Sequence, residues 1–440
     1  MSFPTRESIS AGQLAQLRRL ISALLPGNAF YRQKLAGTDP HVASLEDYSA
    51  RFPFTTKQEL VEDQRALPPF GTNLTFPTEL YTRFHQTSGT TSKPLRWLDH
   101  PESWAAMVEN WKEIFLAAGV EAGDRVYFAF SFGPFIGFWL AFDAAAQLGC
   151  LCLPGGSLSS AGRLHGIMEN RATVLCCTPS YAVHLAEVAA REKIDLNRSA
   201  VRSLIVAGEP GGSIPATRRR ISEHWPNATV FDHHGMTETG PVSHQCPTEP
   251  GTLHILEGSF LAEIIDAEGQ PVREGESGEL VLTTLGRIGS PVLRYRTGDL
   301  VRAKSRSQAC ACGRHSLALA GGILGRTDEM IIVRGVNIFP TAVEDVLRGF
   351  PEVAEYRVDV DGTRSLTEIK LDVEPQADCA EPAALGARVQ ETLQRVFNLR
   401  VPVTMAPSGS LPRFEMKAKR WRYSQSACPT AATSATQTPL

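Results

Sequence analysis

The chain has 440 residues, with 44 Lys and Arg against 47 Asp and Glu, which gives a formal net charge of −3. That length exceeds one ordinary core, so we expect two domains, and a hydrophobic content of 42% excludes a wholly disordered chain. The balanced charge excludes the basic excess typical of nucleic-acid binding proteins, and we expect no nucleic-acid partner.

The cysteines and the N-terminus indicate where the protein resides. The nine cysteines are odd in number and include the neighbours Cys176 and Cys177, a poor match to a secreted disulfide framework. The first residues, MSFPTRESIS, lack the basic and then apolar order of a signal peptide. Residues 126–142 carry no charge, but Gly133 and Pro134 interrupt them, so we interpret them as a buried strand, a turn and a helix. We therefore expect a cytoplasmic protein without a membrane partner.

In chain order, the N-terminal region is predicted to be helical, and Thr56 with Glu59 forms a capping box that opens one helix. Between about 100 and 235, short apolar runs alternate with amphipathic stretches, which indicates a parallel sheet covered by helices on both faces. The strand candidates are Arg125–Phe130, Cys150–Leu153, Val174–Thr178, Ser203–Ala207 and Thr229–Asp232. Because such sheets bind ligands at the carboxyl ends of their strands, the loops after these strands are candidate sites.

The pattern changes after about residue 250. Alternating strands and turns indicate an antiparallel subdomain, and a third region with strands around two helices follows Gly325 and Arg326. The expected fold is therefore α/β, with a large N-terminal domain over 1–325 that has parallel α/β sheets and includes a β-rich subdomain at about 245–325. A small mobile α+β C-terminal domain over 326–424 and a disordered tail over 425–440, rich in Ala, Thr, Ser and Pro, complete it.

The first chemical motif is the loop Gln86–Pro94, in which hydroxyl groups and a glycine precede Lys93. Backbone N–H groups and hydroxyls can donate to phosphate oxygens, and the lysine supplies charge. The spacing differs from that of a Walker P-loop, which disfavours a kinase-like phosphotransferase. A polar surface turn is the alternative interpretation.

Two further motifs carry carboxylates. Glu238 follows a predicted strand and could hold Mg²⁺, with Thr237 donating to a phosphate oxygen. The alternative is a helix N-terminus capped by Thr237. Asp299 lies in a turn and can accept hydrogen bonds from ribose hydroxyls, or it can form a simple Asx turn.

The loops after the central strands also contain flat aromatic side chains, which suit an aryl ring. Phe128 and Phe138 are expected to lie in the core instead. The candidate substrate-pocket residues are Phe132, Gly133, Phe135, Ile136, Ala207, His233 and Met236.

A separate group of sulfur and imidazole side chains flanks the β-rich subdomain. His244 with Cys246, and Cys310 with Cys312, form two close pairs whose ligand types suit a tetrahedral structural Zn²⁺. Unpaired thiols in turns are the alternative.

The motifs together resemble a known family. In order, TSGTTSKP, HHGMTE, YRTGDL and GRTDEMIIVRGVNIFP resemble the successive core motifs of the adenylate-forming superfamily of acyl-CoA synthetases. PFTTKQEL near the start, GEP at 208–210 and NIFP at 337–340 resemble its phenylacetate-CoA ligase-like branch. The resemblance spans about residues 50–420, and a resemblance to anthranilate-type aryl-CoA ligases is weaker.

The resemblance implies roles for individual residues. Thr237 and Glu238 would contact the α-phosphate and Mg²⁺, and Glu209 and Pro210 would lie against the adenine. Asp328 would be the hinge, and Lys417 in LPRFEMKAK would be the catalytic lysine. Met416 replaces the usual glycine before that lysine, so Lys419 stays an alternative. The ATP-binding residues it implies are Ser88, Gly89, Thr90, Thr91, Ser92, Lys93, Gly208, Glu209, Pro210, His234, Gly235, Met236, Thr237, Asp299 and Arg326. The residues expected to approach CoA are Gly335, Val336 and Asn337.

The resulting hypothesis is an AMP-forming ligase that activates a small aromatic acid as an acyl-adenylate and transfers it to the CoA thiol. Its cofactors would be ATP, Mg²⁺ and CoA, with a structural Zn²⁺. Two alternative functions stay open: an adenylating enzyme that serves a carrier-protein thiol or an amine, and a non-catalytic nucleotide-binding protein. For the assembly, a homodimer stays open.

Overall fold

The computed structural model describes residues 3–87, 94–305, 308–334, 336–361, 367–414 and 418–424. The predicted phosphate loop Ser88–Lys93, the predicted CoA residue Gly335, Lys417 and the predicted disordered tail from 425 lie outside the described residues.

The N-terminal region is helical, as its pattern predicts. Thr56 accepts from the backbone N–H of Glu59, whose side chain accepts from the N–H of Thr56, so the predicted capping box is confirmed. The four helices are α1 (Arg6–Gly27), α2 (Ala29–Lys34), α3 (Leu45–Arg51) and α4 (Lys57–Ala66).

The central layer is a five-stranded parallel sheet between helices. A hairpin of β1 (Arg83–Gln86) and β2 (Arg96–Asp99) precedes it. The elements that follow in chain order are α5 (Pro101–Ala117), β3 (Arg125–Phe128), α6 (Ile136–Gln147), β4 (Leu151–Pro154), α7 (Ser160–Glu169), β5 (Val174–Cys177), α8 (Pro179–Arg191), β6 (Ser203–Val206), α9 (Pro215–His224) and β7 (Thr229–Asp232). The strand order is β4-β3-β5-β6-β7, and every pair is parallel.

Both faces of this sheet are buried because successive side chains point to opposite sides. Val126 and Phe128 belong to one apolar core, and Tyr127 belongs to the other. The uncharged stretch 126–142 thus supplies a strand and α6, as predicted from its interruption by Gly133 and Pro134. Among the described residues, no helix has the length and apolarity needed to cross a bilayer.

An antiparallel part follows the parallel sheet. Its strands are β8 (Gly235–Met236), β9 (Gly240–Pro241), β10 (Ser243–Gln245), β11 (Thr252–Ile255), β12 (Phe260–Ile265), β13 (Ser277–Thr284), β14 (Tyr295–Arg302), β15 (Ala318–Ala320) and β16 (Gly325–Arg326). They form the sheets β8-β9, β10-β11-β15 and β12-β13-β14-β16. The pairing of β14 with β16 sets Asp299 directly opposite Arg326.

The C-terminal part has its own apolar core. Its elements are β17 (Ile331–Val333), β18 (Val336–Ile338), α10 (Pro340–Arg348), β19 (Val353–Asp361), β20 (Glu368–Pro375), α11 (Pro382–Phe397), β21 (Val403–Met405) and β22 (Trp421–Tyr423). The sheet order is β21-β20-β19-β22, and β22 pairs in parallel with β19. The sequence pattern did not predict β22, whose pairing anchors the chain just beyond Lys417 to this sheet.

Candidate active site

The loops that follow neighbouring strands of the parallel sheet meet at one edge, as expected for such sheets. The segments 129–135, 178–180, 207–210 and 233–234 follow β3, β5, β6 and β7 respectively. These segments contain most of the predicted acid-binding and adenine-side residues that the structure describes.

The predicted phosphate loop connects β1 to β2, and the residues on either side of it are bound to each other. The N–H of Thr87 donates to the carbonyl of Leu95 at 3.0 Å, and the N–H of Leu95 donates to Oγ1 of Thr87 at 3.0 Å. In addition, the N–H of Gln86 donates to the carbonyl of Pro134 at 2.8 Å. This bond ties the start of the phosphate loop to the aromatic loop after β3.

Thr237 and Glu238 lie in the turn of a β-hairpin, since Gly235–Met236 pairs with Gly240–Pro241. The alternative that Thr237 caps a helix is therefore wrong. Glu238 is only 4% exposed. Its Oε1 stands 3.4 Å from Nζ of Lys57 and 3.4 Å from the hydroxyl of Tyr295. A buried carboxylate with such long contacts suits a cation ligand.

Two residues around this hairpin were missed from the sequence. Arg287 donates through Nη1 to the carbonyl of Thr237 at 2.7 Å, and its other nitrogens bind Asp99. Lys57 faces Glu238, and it lies in the motif PFTTKQEL that carried the family resemblance. That motif could have indicated Lys57, whereas the contact of Arg287 depends on the tertiary fold.

Asp299 is 4% exposed and lies between an imidazole and a guanidinium group. Its Oδ1 accepts from Nη1 of Arg326 at 2.9 Å, and its Oδ2 lies 3.0 Å from Nε2 of His234. Burial by itself would raise the pKa of Asp299, but His234 and Arg326 outweigh it, so this pKa lies below its usual value. Arg326 also binds both oxygens of the predicted hinge residue Asp328, at 2.8 Å each.

The turn at Gly298 explains why glycine stands before Asp299. Its φ is +77°, and a Cβ there would lie 2.8 Å from Nη2 of Arg326. Any other residue would therefore strain the backbone and push Arg326 away from Asp299. The sequence YRTGDL thus permits the close approach of these two side chains.

The adenine-side loop Gly208–Pro210 follows β6 and contains a half-buried carboxylate. Oε1 of Glu209 accepts from the N–H of Ser180 at 2.8 Å, and Oε2 accepts from the N–H of Ala418 at 2.8 Å. The sequence predicted an adenine contact for Glu209 and did not predict either of these bonds.

The aromatic loop after β3 is a packed group of rings. Phe130 stacks on Phe138 with 3.9 Å between ring centroids, and Phe132 lies 5.0 Å from the ring of Trp139. The indole N–H of Trp139 donates to the carbonyl of Gly133 at 2.9 Å, which holds the turn. Phe132, Gly133 and Phe135 are half-buried.

The other predicted acid-binding residues differ in exposure. Ile136 is only 5% exposed and packs in the apolar core, so its contact with a bound acid stays a prediction. His233 is 7% exposed and contacts Trp111 edge to face at 4.4 Å. Burial lowers the pKa of His233 to about 3, so its ring is neutral at neutral pH. Ala207 and Met236 are half-buried, and α6 packs against the strand of Met236.

Three thiols and one imidazole converge beside β11. Their ligand atoms all lie within 4.8 Å of one another, and they belong to Cys246, His254, Cys310 and Cys312. The Sγ atoms of Cys246 and Cys310 are 3.6 Å apart, and Sγ of Cys312 lies 3.4 Å from Nε2 of His254.

The predicted ligand set is therefore corrected in its histidine. His244 on β10 pairs with His254 on β11, and β11 lies between β10 and β15. The loop with Cys310 and Cys312 precedes β15. His244 is therefore one strand further from this loop than His254 is, and neighbouring strands are about 4.8 Å apart. His244 instead contacts the carbonyl of Gln245 at 2.9 Å and Glu113 at 3.7 Å. His254 lies in the part after about residue 250 that was predicted only as alternating strands and turns, and it was not predicted as a ligand.

Family models match both parts of the chain. A model described as AMP-binding enzyme matches residues 81–286, and one described as AMP-binding enzyme C-terminal domain matches residues 335–422. Phenylacetate-coenzyme A ligase from Thermus thermophilus is 34% identical over 93% of this chain and 95% of its own length. Phenylacetate-coenzyme A ligase from Aromatoleum evansii is 30% identical over 94% of each chain.

Solved structures of 2-hydroxyisobutyryl-CoA ligase are similar over 96% of this chain and 91% of theirs. The TM-score is 0.91 in its postadenylation state, at 28% identity, and 0.72 in its thioesterification state, at 29% identity. The two parts of this chain are thus arranged more as in the postadenylation state. The chain therefore belongs to the phenylacetate-CoA ligase-like branch of the AMP-binding enzymes and is an AMP-forming acid–thiol ligase that acts through an acyl-adenylate.

Proposed function

We propose that this ligase activates a small aromatic carboxylic acid and transfers the acyl group to CoA. The observation that carries the proposal is the bond from Gln86 to Pro134, which holds the aromatic loop at the start of the phosphate loop. An aryl ring against Phe132 and Phe135 would have its carboxylate near the ATP phosphates. The two relatives named as phenylacetate-coenzyme A ligases support an aromatic acid.

In the first half-reaction, a carboxylate oxygen attacks the α-phosphorus of ATP, and the bond to the β-phosphate oxygen breaks to release pyrophosphate. Two anions must meet, so cationic and N–H groups have to neutralise charge in the transition state. We assign this role to the loop Ser88–Lys93 and to Lys417, with Thr237 at the α-phosphate. Asp299 and the loop Gly208–Pro210 would hold the ribose and the adenine.

Glu238 is the residue that would hold Mg²⁺. Its burial and its two contacts at 3.4 Å fit a carboxylate that gains a cation. When bound, the ion would offset the negative charge of the phosphates. Arg287 keeps the neighbouring Thr237 in place through its carbonyl.

In the second half-reaction, the CoA thiol attacks the acyl carbon, and the bond to AMP breaks. We propose that the C-terminal domain, residues 326–424, rotates about Asp328 against the N-terminal domain, residues 1–325. This rotation would bring Gly335, Val336 and Asn337 to the acyl-adenylate in place of Lys417. The two half-reactions share one pocket, but adenylation needs the lysine beside the carboxyl group and thioester formation needs the CoA thiol there. The two arrangements of 2-hydroxyisobutyryl-CoA ligase support such a rotation.

A panel of acids tests the substrate class. AMP release is measured with and without CoA for benzoate, phenylacetate, 2-hydroxyisobutyrate and decanoate. We expect the aromatic acids, especially those with small ring substituents, to have the highest kcat/KM. A higher value for decanoate would contradict the aromatic slot, and a preference for 2-hydroxyisobutyrate would favour the substrate of the structural neighbour. Turnover with a carrier protein but not with CoA would favour the alternative acceptor.

We also propose that Cys246, His254, Cys310 and Cys312 hold a structural Zn²⁺. Ligands about 2.3 Å from a tetrahedral zinc ion stand roughly 3.8 Å apart, which the distances of 3.6 Å and 3.4 Å approach. The other ring nitrogen of His254, Nδ1, lies 3.1 Å from Oγ of Ser316. Such a contact would fix the orientation of the ring, so that Nε2 would be the nitrogen that binds the ion.

A further inference from the structure

One carboxylate connects the adenine-side loop to the C-terminal domain. Glu209 accepts from the N–H of Ser180 through Oε1 and from the N–H of Ala418 through Oε2, at 2.8 Å each. Ser180 lies in the first turn of α8, where N–H groups have no partner within the helix. The positive end of the helix dipole favours a carboxylate at this position. One oxygen of Glu209 therefore accepts from the N-terminal domain, and the other accepts from the C-terminal domain.

The position of Ala418 gives this contact its importance. Ala418 directly follows Lys417 and directly precedes Lys419, so both candidate catalytic lysines are its neighbours in the chain. Consecutive Cα atoms are only about 3.8 Å apart. A bond that fixes the amide of Ala418 therefore restricts the path of either lysine.

Two arginines hold the same segment against α8. Arg420 donates to Glu355 at 2.7 Å and lies 3.3 Å from Oγ of Ser180. Arg413 donates to Glu374 at 2.6 Å and lies 3.4 Å from Glu187. Each arginine has a closer carboxylate partner in its own domain, Glu355 for Arg420 and Glu374 for Arg413. These two ion pairs can therefore persist when the C-terminal domain rotates.

We propose that Glu209 is a positioning residue for adenylation, which holds the lysine-bearing segment at the nucleotide and releases it when the C-terminal domain rotates. A carboxylate suits this task because it can accept two hydrogen bonds at once and strengthens both by its charge. The inference rests on the proposed role of Lys417. It assigns Glu209 a function besides the adenine contact that the family resemblance implies.

The test compares Glu209→Gln with Ser180→Ala in the full-length protein. Glutamine keeps the size of the side chain, but its NH₂ group cannot accept from an N–H. Ser180→Ala removes the hydroxyl near Arg420 and keeps the backbone N–H that Glu209 binds, so it is the matched control. Adenylation is measured by pyrophosphate exchange, and thioester formation is measured from pre-made acyl-adenylate and CoA.

We expect Glu209→Gln to lower kcat for adenylation by about 10- to 100-fold, as small misplacements of catalytic groups do. KM for ATP and thioester formation should change less than about twofold, and Ser180→Ala should stay within about threefold of the wild type. In a Lys417→Ala background, Glu209→Gln should lower kcat for adenylation only slightly further, because the lysine that Glu209 positions is already absent. A raised KM for ATP at unchanged kcat would overturn the proposal in favour of a direct nucleotide contact. An equal fold loss of kcat from Glu209→Gln with and without Lys417→Ala would do the same.

Hydrogen exchange gives a readout that needs no acid substrate. The amides of Ser180 and Ala418, taken together, should exchange faster in Glu209→Gln than in the wild type or in Ser180→Ala, because glutamine offers one acceptor oxygen to two N–H groups. Unchanged exchange at both amides would overturn the proposal even if activity fell. An inactive wild type with every acid would instead contradict the proposed substrate class, so the two failures can be told apart.

Discussion

The guanidinium of Arg287 donates to both carboxylate oxygens of Asp99, at 2.7 Å each, and both side chains are at most 2% exposed. Burial would raise the pKa of Asp99, but Arg287 and His85 outweigh it, so this pKa stays below its usual value. Because the third donor of Arg287 binds the carbonyl of Thr237, the pair supports the hairpin that carries Glu238.

Asp99→Asn should therefore destabilise the fold by about 3–5 kcal/mol, since it leaves the charge of Arg287 buried without a carboxylate partner. The free energy of unfolding from urea titration measures this. Glu109→Gln removes the carboxylate of an exposed ion pair with Lys112 and should cost less than about 1 kcal/mol. Equal losses for the two variants would contradict the importance of burial.

The zinc proposal predicts about one zinc ion per chain in protein purified without added metal. His254→Ala should lower zinc affinity by about 10-fold or more and reduce thermal stability, because it removes one of four ligands. His244→Ala is the matched control, since His244 lies on the neighbouring strand outside the thiol group. Absence of zinc from the wild type, or loss of zinc from His244→Ala alone, would refute the assignment.

Asp232 offers a test of pH dependence. Its buried carboxyl accepts from Oγ of Ser213 at 2.5 Å. Burial raises its pKa to about 6, and the bond from Ser213 opposes this only in part. The folded protein therefore holds a proton that the unfolded chain loses above pH 3.8. Stability from this group is full below pH 3.8 and is lost as the pH rises to about 6.

Asp232→Asn should accordingly be more stable than the wild type at pH 7.5, by an amount approaching about 3 kcal/mol. This advantage should shrink between pH 6 and pH 4, where the wild type takes up the proton. Thermal unfolding over this range measures it, and the same change at the exposed Asp378 should produce no such trend. A difference that is independent of pH would contradict the raised pKa.

The local elements were predictable because buried parallel strands form short apolar runs. The prediction Thr229–Asp232 matches β7 in full, and Val174–Thr178 exceeds β5 by one residue. Helix starts such as Thr56 followed by Glu59 are also local signals. Such patterns depend on neighbouring residues in the chain, so they can be interpreted without a tertiary structure.

The contacts that build the site could not be predicted in the same way. Glu209 and Ala418 are 209 residues apart, and Arg287 and Asp99 are 188 apart. Their side chains meet only because the sheets and domains pack together. The choice of His254 over His244 likewise depends on which strand lies in the middle of a sheet, and no spacing rule contains that order.

Lys417 should separate the two half-reactions. If it neutralises charge only during adenylation, Lys417→Ala should lower adenylate formation by about 10²–10³-fold, as loss of one preorganised donor does. Supplied with pre-made acyl-adenylate, the variant should form thioester at nearly the normal rate. Lys419→Ala is the control, because the side chain of Lys419 is exposed. Loss of adenylation in Lys419→Ala alone would identify Lys419, and not Lys417, as the catalytic lysine.

A change at the hinge residue Asp328 should affect thioester formation and spare adenylation, which is the opposite of the effect expected at Lys417. Asp328→Pro fixes φ where the chain must turn, so adenylate should form while its conversion to thioester slows by about tenfold or more. The substitution also removes the carboxylate that binds Arg326, so Asp328→Ala serves as the control that keeps φ free. We expect Asp328→Ala to retain both half-reactions within about threefold, since an exposed ion pair contributes little. Rapid-quench measurement of adenylate and thioester distinguishes the variants. Equal loss of both half-reactions in Asp328→Pro would contradict a rotation about this residue.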